Sequence, residues 1–181
     1  MKKTIAMMQA PAQLSPGNYV RSADASQVTP VVNKLNIDAQ RSGDSWEIRL
    51  QWRCENPVTS LQGSTDRFVD AAAILVPTHE QSQWLTMGSA EAPVEGVLWR
   101  PDRSDLIRIS AQGLGSVQRH APAPTWRIKA SHDNGIYTLH WLLPKWDPLN
   151  RFSRCGFALW SGAHNERGGV KSVSTEWVTL S

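Results

Sequence analysis

Residues 46–54 alternate without a break, with Trp46, Ile48, Leu50, Trp52 and Cys54 on one side and Glu47, Arg49, Gln51 and Arg53 on the other. A period of two sustained this long suits a strand with one buried and one wet face; a helix would scatter the same apolar residues around its circumference. Such a strand needs neighbours, and the rest of the chain supplies them. Residues 67–77 are apolar on both faces and end at Pro77, which predicts a central strand whose Asp70 requires a hydrogen-bonding partner or an exposed end. Residues 105–110 read as another strand, and residues 125–130 and 132–143 as a hairpin with Asp133, Asn134 and Gly135 supplying the positive-φ turn. Residues 155–160 and 171–180 add two more.

Helical periodicity with caps is missing over any ten residues. The fold class is therefore all-β: a two-sheet antiparallel β-sandwich with few short helices, because doubling the sheet hides edges that a flat one exposes. Residues 30–181 form a single domain. Residues 1–29, rich in Ala, Ser, Gln and Pro without a sustained period, read as an extended N-terminal arm that contacts a partner subunit.

The 19 Lys and Arg against 16 Asp and Glu leave a formal charge of +3, with the basic residues dispersed rather than clustered. That pattern does not point to nucleic acid or to a membrane surface. No apolar run approaches the length of a bilayer span, and the four-residue apolar run near the start is too short for a secretory signal core. Cys54 and Cys155 form no C-x-x-C pair, which removes zinc-ribbon, thioredoxin-like and covalent c-type haem readings, and nothing in their spacing requires a disulfide. Metalloprotease, nucleophile-elbow, phosphate-loop and dinucleotide motifs are missing, so the chain is read as non-catalytic, without a self-contained active site.

Two residues stand out. Lys171 follows Gly168 and Gly169 and opens an alternating segment in which it shares a face with Val173, Thr175 and Trp177. Either it snorkels to water with its stem over Trp177, or it is a neutral amine in an apolar pocket. Met87, followed by Gly88, sits in a polar connection between apolar segments. It is either a gap-filling core residue or a thioether ligand for a soft metal or haem iron. The nine tryptophans serve as core filler, as stacking platforms or as pocket walls.

These residues fall in an order with family precedent. Asp70-Ala-Ala-Ala-Ile-Leu-Val-Pro77 is followed by Met87-Gly88, Pro93-Val94 and Trp99. After these come Phe157-Ala-Leu-Trp-Ser-Gly, Glu166-Arg-Gly-Gly-Val-Lys-Ser-Val-Ser and Trp177. From about residue 38 onward the chain resembles the haem b-binding gamma subunits of ethylbenzene dehydrogenase and related type II enzymes of the dimethyl sulfoxide reductase family. The resemblance implies a β-sandwich carrying one haem b with Met87 and Lys171 as axial ligands. Arg100 and Arg167, near the two ligand blocks, become candidate propionate contacts.

It further implies a heterotrimer with a molybdenum bis-pterin alpha subunit, an iron-sulfur cluster-bearing beta subunit and an external acceptor such as cytochrome c, with this chain relaying electrons. The resemblance points to the periplasm, with export alongside a partner; the lack of an evident signal reads instead as cytoplasmic. A carbohydrate-binding sandwich using exposed tryptophans is the alternative function.

Overall fold

The computed structural model describes residues 1–11, 29–61, 67–121 and 123–180. The strict alternation of residues 46–54 becomes the strand β3 (Ser45–Arg53), flanked by β2 (Lys34–Ser42) and β9 (Ile136–Pro144). Beyond β9 lies β8 (Arg127–Asp133), joined to it by a tight turn in which Asn134 and Gly135 have φ of 49° and 73°. Two successive positive φ values match the twist of a two-residue hairpin, as Asn-Gly does well. β2 was not foreseen, although its Leu35, Ile37 and Ala39 alternate inward as β3 does.

The second half-sheet is built around β4 (Ala71–Pro77), which pairs with β5 (Val94–Trp99) on one side and β10 (Arg154–Trp160) on the other. β6 (Ile107–Ala111) and β7 (Gln118–His120) extend it past β5, and β11 (Ser172–Ser174) extends it past β10. The halves meet at β1 (Lys2–Gln9). Its Lys2–Ala6 portion pairs with β2, and Met7, Met8 and Gln9 pair with β11. The expected arm is thus corrected at its start: these residues belong to the sheet, because their backbone groups complete the ladders of two half-sheets. The remainder of that arm, residues 12–28, lies outside the described residues.

The doubled antiparallel sheet is the expected sandwich. Its core takes Leu35 and Ile37 from β2, Trp46, Ile48, Leu50 and Trp52 from β3, and Leu139 and Trp141 from β9. The other half contributes Ala72, Ile74 and Val76 from β4, Trp99 from β5, and Phe157 and Leu159 from β10. Each large apolar side chain buried here contributes roughly 1.5–3 kcal/mol. Cys155 is buried in this core, Cys54 is half-buried just past β3, and both are free thiols.

Asp70 finds the partners it required. Its carboxylate accepts from the backbone N–H of Val58 (2.7 Å) and Gly162 (2.8 Å) and from the hydroxyl of Tyr137 (3.1 Å). The segment 171–180, expected as one strand, is instead two: β11 and β12 (Val178–Thr179). Both pair with β10 but out of register with each other, so the chain bulges between them. The Ser174 hydroxyl closes that bulge on the Glu176 carbonyl at 3.0 Å.

Besides the short helix α1 (Asp147–Phe152), only a single 3-10 turn at Gly162–His164 is helical among the described residues. No helix there is long and apolar enough to cross a membrane.

Candidate cofactor site

β4 reads as apolar on both faces because both faces are covered, by different things. Ala72, Ile74 and Val76 point into the sandwich, whereas Ala71, Ala73 and Leu75 floor a cavity of about 790 Å³ on the outer face. Ala158, Ile109, Leu98 and Val173 continue this floor across β10, β6, β5 and β11. Two features give it depth. Alanine takes up little volume on β4 and β10, and the volume lies in the range of pockets that hold whole cofactors.

One wall is the connection between β4 and β5, residues 78–93. Its base is tied by Thr78 and Ser82 hydroxyls that both donate to the Pro93 carbonyl at 2.7 Å. Trp84 fixes its middle: the indole N–H donates to the Ser174 carbonyl at 2.7 Å, and the ring lies directly on Gly156, where a Cβ would collide with it. Met87 follows, half-buried in the cavity lining at φ 58°, with its N–H on the Trp84 carbonyl and its carbonyl accepting from Gly113 N–H, both at 3.0 Å. A left-handed methionine costs roughly 1–2 kcal/mol. Strained backbone of this kind collects at functional sites, held by surrounding structure.

A second part of the lining comes from the turn between Ser161 and Lys171, through Glu166, Arg167, Gly168, Gly169 and Lys171. Lys171 precedes β11, lines the cavity and is half-buried. Its Nζ donates to the Gly168 carbonyl at 3.1 Å and lies 5.1 Å from the centre of the Trp160 ring, so its aromatic neighbour is Trp160 rather than the expected Trp177. Burial lowers the amine from 10.5 to about 8. The neutral amine, the form able to coordinate a metal, is therefore reached at lower pH than for a solvated lysine.

Arg100 and Arg167 line the same cavity. Arg100 forms a bidentate pair with Asp102 (3.0 and 2.6 Å), while Arg167 stacks over Phe68 with its guanidinium 4.8 Å from the ring centre. All four residues singled out in the sequence therefore border one space, though they come from separate stretches of chain. No cluster of three or more His, Cys, Asp or Glu side chains able to hold a metal ion occurs among the described residues.

Three curated proteins align with most of this chain. A putative respiratory nitrate reductase heme subunit of Haloferax mediterranei is 27% identical over 96% of this chain and 63% of its own length. The dimethylsulfide dehydrogenase subunit gamma of Rhodovulum sulfidophilum is 30% identical over 80% of this chain and 58% of its own length. The chlorate reductase subunit gamma of Ideonella dechloratans is 30% identical over 84% of this chain and 66% of its own length. The chain is a homologue of gamma subunits of type II dimethyl sulfoxide reductase-like enzymes.

The chain spans less than two thirds of the length of each of these relatives. No protein-family model matches it. A solved carbohydrate binding module of family 9 from Caldicellulosiruptor kristjanssonii, in complex with glucose, superposes with a TM-score of 0.42 at 10% identity, covering 81% of this chain and 68% of that one; a likeness this distant carries no argument.

Two lining residues of this gamma-subunit homologue had no role assigned from sequence. Arg119 comes from the exposed edge strand β7, whose three residues are too few to show a period. Glu166 is buried in the cavity wall, and its only sequence signal was its place within the Glu166 to Ser174 block.

Proposed function

We propose that this chain is the electron-transfer subunit of a heterotrimeric molybdenum and iron-sulfur oxidoreductase, carrying one haem b between Met87 and Lys171. The observation that carries the reading is that Met87 and Lys171, from walls formed by separate connections, line one apolar cavity large enough for such a group. The donor set suits it: a soft thioether and an amine whose proton is loosened by burial. Arg100, Arg167 and Arg119 provide cations for its carboxylates, and the alanine and leucine floor suits a flat apolar ring.

Haem would supply a one-electron couple, and with Met87 and Lys171 both holding it the group would relay electrons rather than bind substrate or oxygen. Met87 would offer its sulfur from a backbone that is bonded at both ends, which fixes where the side chain leaves the loop. Lys171, whose Nζ now donates to the Gly168 carbonyl, would hold the group as its neutral amine. A group packed against Trp84, Trp160 and the alanine floor would keep water from the amine, which favours its neutral form. Electrons pass between an iron-sulfur beta subunit, fed by a molybdenum bis-pterin alpha subunit, and an external acceptor such as a cytochrome c. The complex works in the periplasm in this reading, and fractionation of cells expressing the chain with its partners tests that placement.

The sugar-binding alternative loses its premise. Of the nine tryptophans, seven are buried and Trp160 and Trp177 are half-buried, so none is exposed to serve as a platform. The deciding experiment is a visible spectrum of the complex, oxidised and dithionite-reduced, with pyridine extraction of the cofactor. Sharp low-spin b-type bands are expected on reduction; a colourless stoichiometric complex overturns the assignment.

A further inference from the structure

Glu166 is the most deeply buried ionisable side chain bordering the cavity, at 1% exposure. One carboxyl oxygen, Oε2, accepts from the Ser161 N–H at 2.8 Å, and the other, Oε1, has no hydrogen-bond partner at all. A buried carboxylate with a bare oxygen is costly, whereas a protonated one needs only a single acceptor nearby. No lysine or arginine among the described residues forms an ion pair with it. Burial, reinforced by the neighbouring Asp70 carboxylate and opposed by the Ser161 N–H, raises this carboxyl from 4.5 to about 7.

We propose that Glu166 is a proton-binding site coupled to the electron occupancy of the cavity, taking up one proton at Oε1 when an electron arrives and releasing it when the electron leaves. This rests on the haem reading above. The balance is one electron from a one-electron donor of the iron-sulfur class and one proton from solvent; an O–H bond forms on Glu166 and no other bond changes. An added negative charge near a carboxyl buried this deeply favours the neutral acid by the same electrostatics that raise its proton affinity now.

The charged and titratable groups around Glu166 are few. Asp70 is held by Val58, Gly162 and Tyr137, and His164 Nδ1 is bonded to the Ser161 hydroxyl at 2.9 Å. Arg167 is turned onto Phe68, and Lys171, Arg100 and Arg119 lie elsewhere on the cavity lining. Among these, Glu166 alone combines full burial with a bare oxygen.

The test is a spectroelectrochemical titration of the haem in the intact complex between about pH 5.5 and 8.5, for the wild type, Glu166→Gln and Glu166→Asp. The wild-type midpoint is expected to fall as pH rises, approaching about 59 mV for each tenfold change in proton activity. The Gln variant, which keeps the Ser161 bond, is expected to be flat, and the Asp variant to restore a slope. Equal slopes in wild type and Gln, or a flat wild type, overturn the proposal while leaving the haem in place. If the wild-type complex shows no low-spin bands, the functional reading itself fails and the coupling falls with it. Should Glu166→Gln not assemble, redox-difference infrared spectra of the wild type decide: a protonated carboxyl band gained on reduction and shifted in heavy water supports the site, and its absence overturns it.

Discussion

Lys171 and Trp160 share one acceptor: the lysine Nζ and the tryptophan indole N–H each donate to the Gly168 carbonyl at 3.1 Å, with the ammonium 5.1 Å from the ring centre. The pair parks a cation at the edge of an apolar cavity. Gly168 itself has φ 53°, which turns that carbonyl toward both donors without a side chain in the way.

The lowered proton affinity of Lys171 sets a pH dependence whose sign can be worked out. The amine is charged in both states below about pH 8, and between about 8 and 10.5 only the unfolded chain holds the proton. Lys171 by itself therefore adds stability across that window as pH rises, read as the difference from Lys171→Met because the buried Cys54, Cys155 and Tyr137 act in the opposite sense. Lys171→Met should be the more stable protein in urea at pH 7, with the gap narrowing toward pH 10.5. A gap independent of pH would contradict the assignment.

Cofactor retention should follow the same proton in the opposite experiment. Below pH 8 the metal competes with protonation of the amine, so haem affinity should weaken by up to about tenfold per pH unit. Haem transfer to an apo-acceptor protein at several pH values measures this directly. Lys171→Ala should abolish the dependence.

Met87→Ala and Lys171→Ala should each shift or lose the low-spin haem spectrum while leaving the molybdenum and iron-sulfur centres proposed for the partners populated. Metal analysis of the same samples separates ligand loss from failure to assemble. An unchanged haem spectrum in both variants would sink the ligand assignment.

Gly156→Ala tests the wall rather than the ligands. The added methyl group collides with the Trp84 ring, which the Ser174 carbonyl and the adjacent loop hold in place. Overpacking of this kind costs about 1–3 kcal/mol. The loss should appear in urea unfolding and be accompanied by weaker haem retention, because displacing Trp84 carries the Met87 loop with it.

Asp70→Ala should be more severe. It strips the acceptor from two backbone N–H groups and the Tyr137 hydroxyl in the protein interior, at about 1–3 kcal/mol each. Thermal unfolding would show the loss, and a midpoint within a degree or two of the wild type would refute the accounting.

What could be read from the sequence follows from how far apart the deciding contacts lie. The alternation in β3 and the Asn134-Gly135 turn are local, and local chemistry specifies both. β1 could not be recognised, because a strand that pairs with two different neighbours along its length has no single buried face to set a period. The oddity of Met87 and Lys171 was visible as polar or flexible side chains amid apolar segments. Glu166 was not, since its burial comes from a turn folded against Asp70, and the alanine floor was hidden because residues 71–76 are apolar on either account.

The two apolar clusters of this chain lie on opposite faces of β4, one sealed between the half-sheets and the other open to the cavity. Order of assembly follows from that separation. The sealed cluster is built from the chain's own residues, so on the haem reading the chain has what it needs to fold first and load the cofactor afterwards. On that reading, maturation would be a docking step onto a finished wall rather than a condition for folding at all.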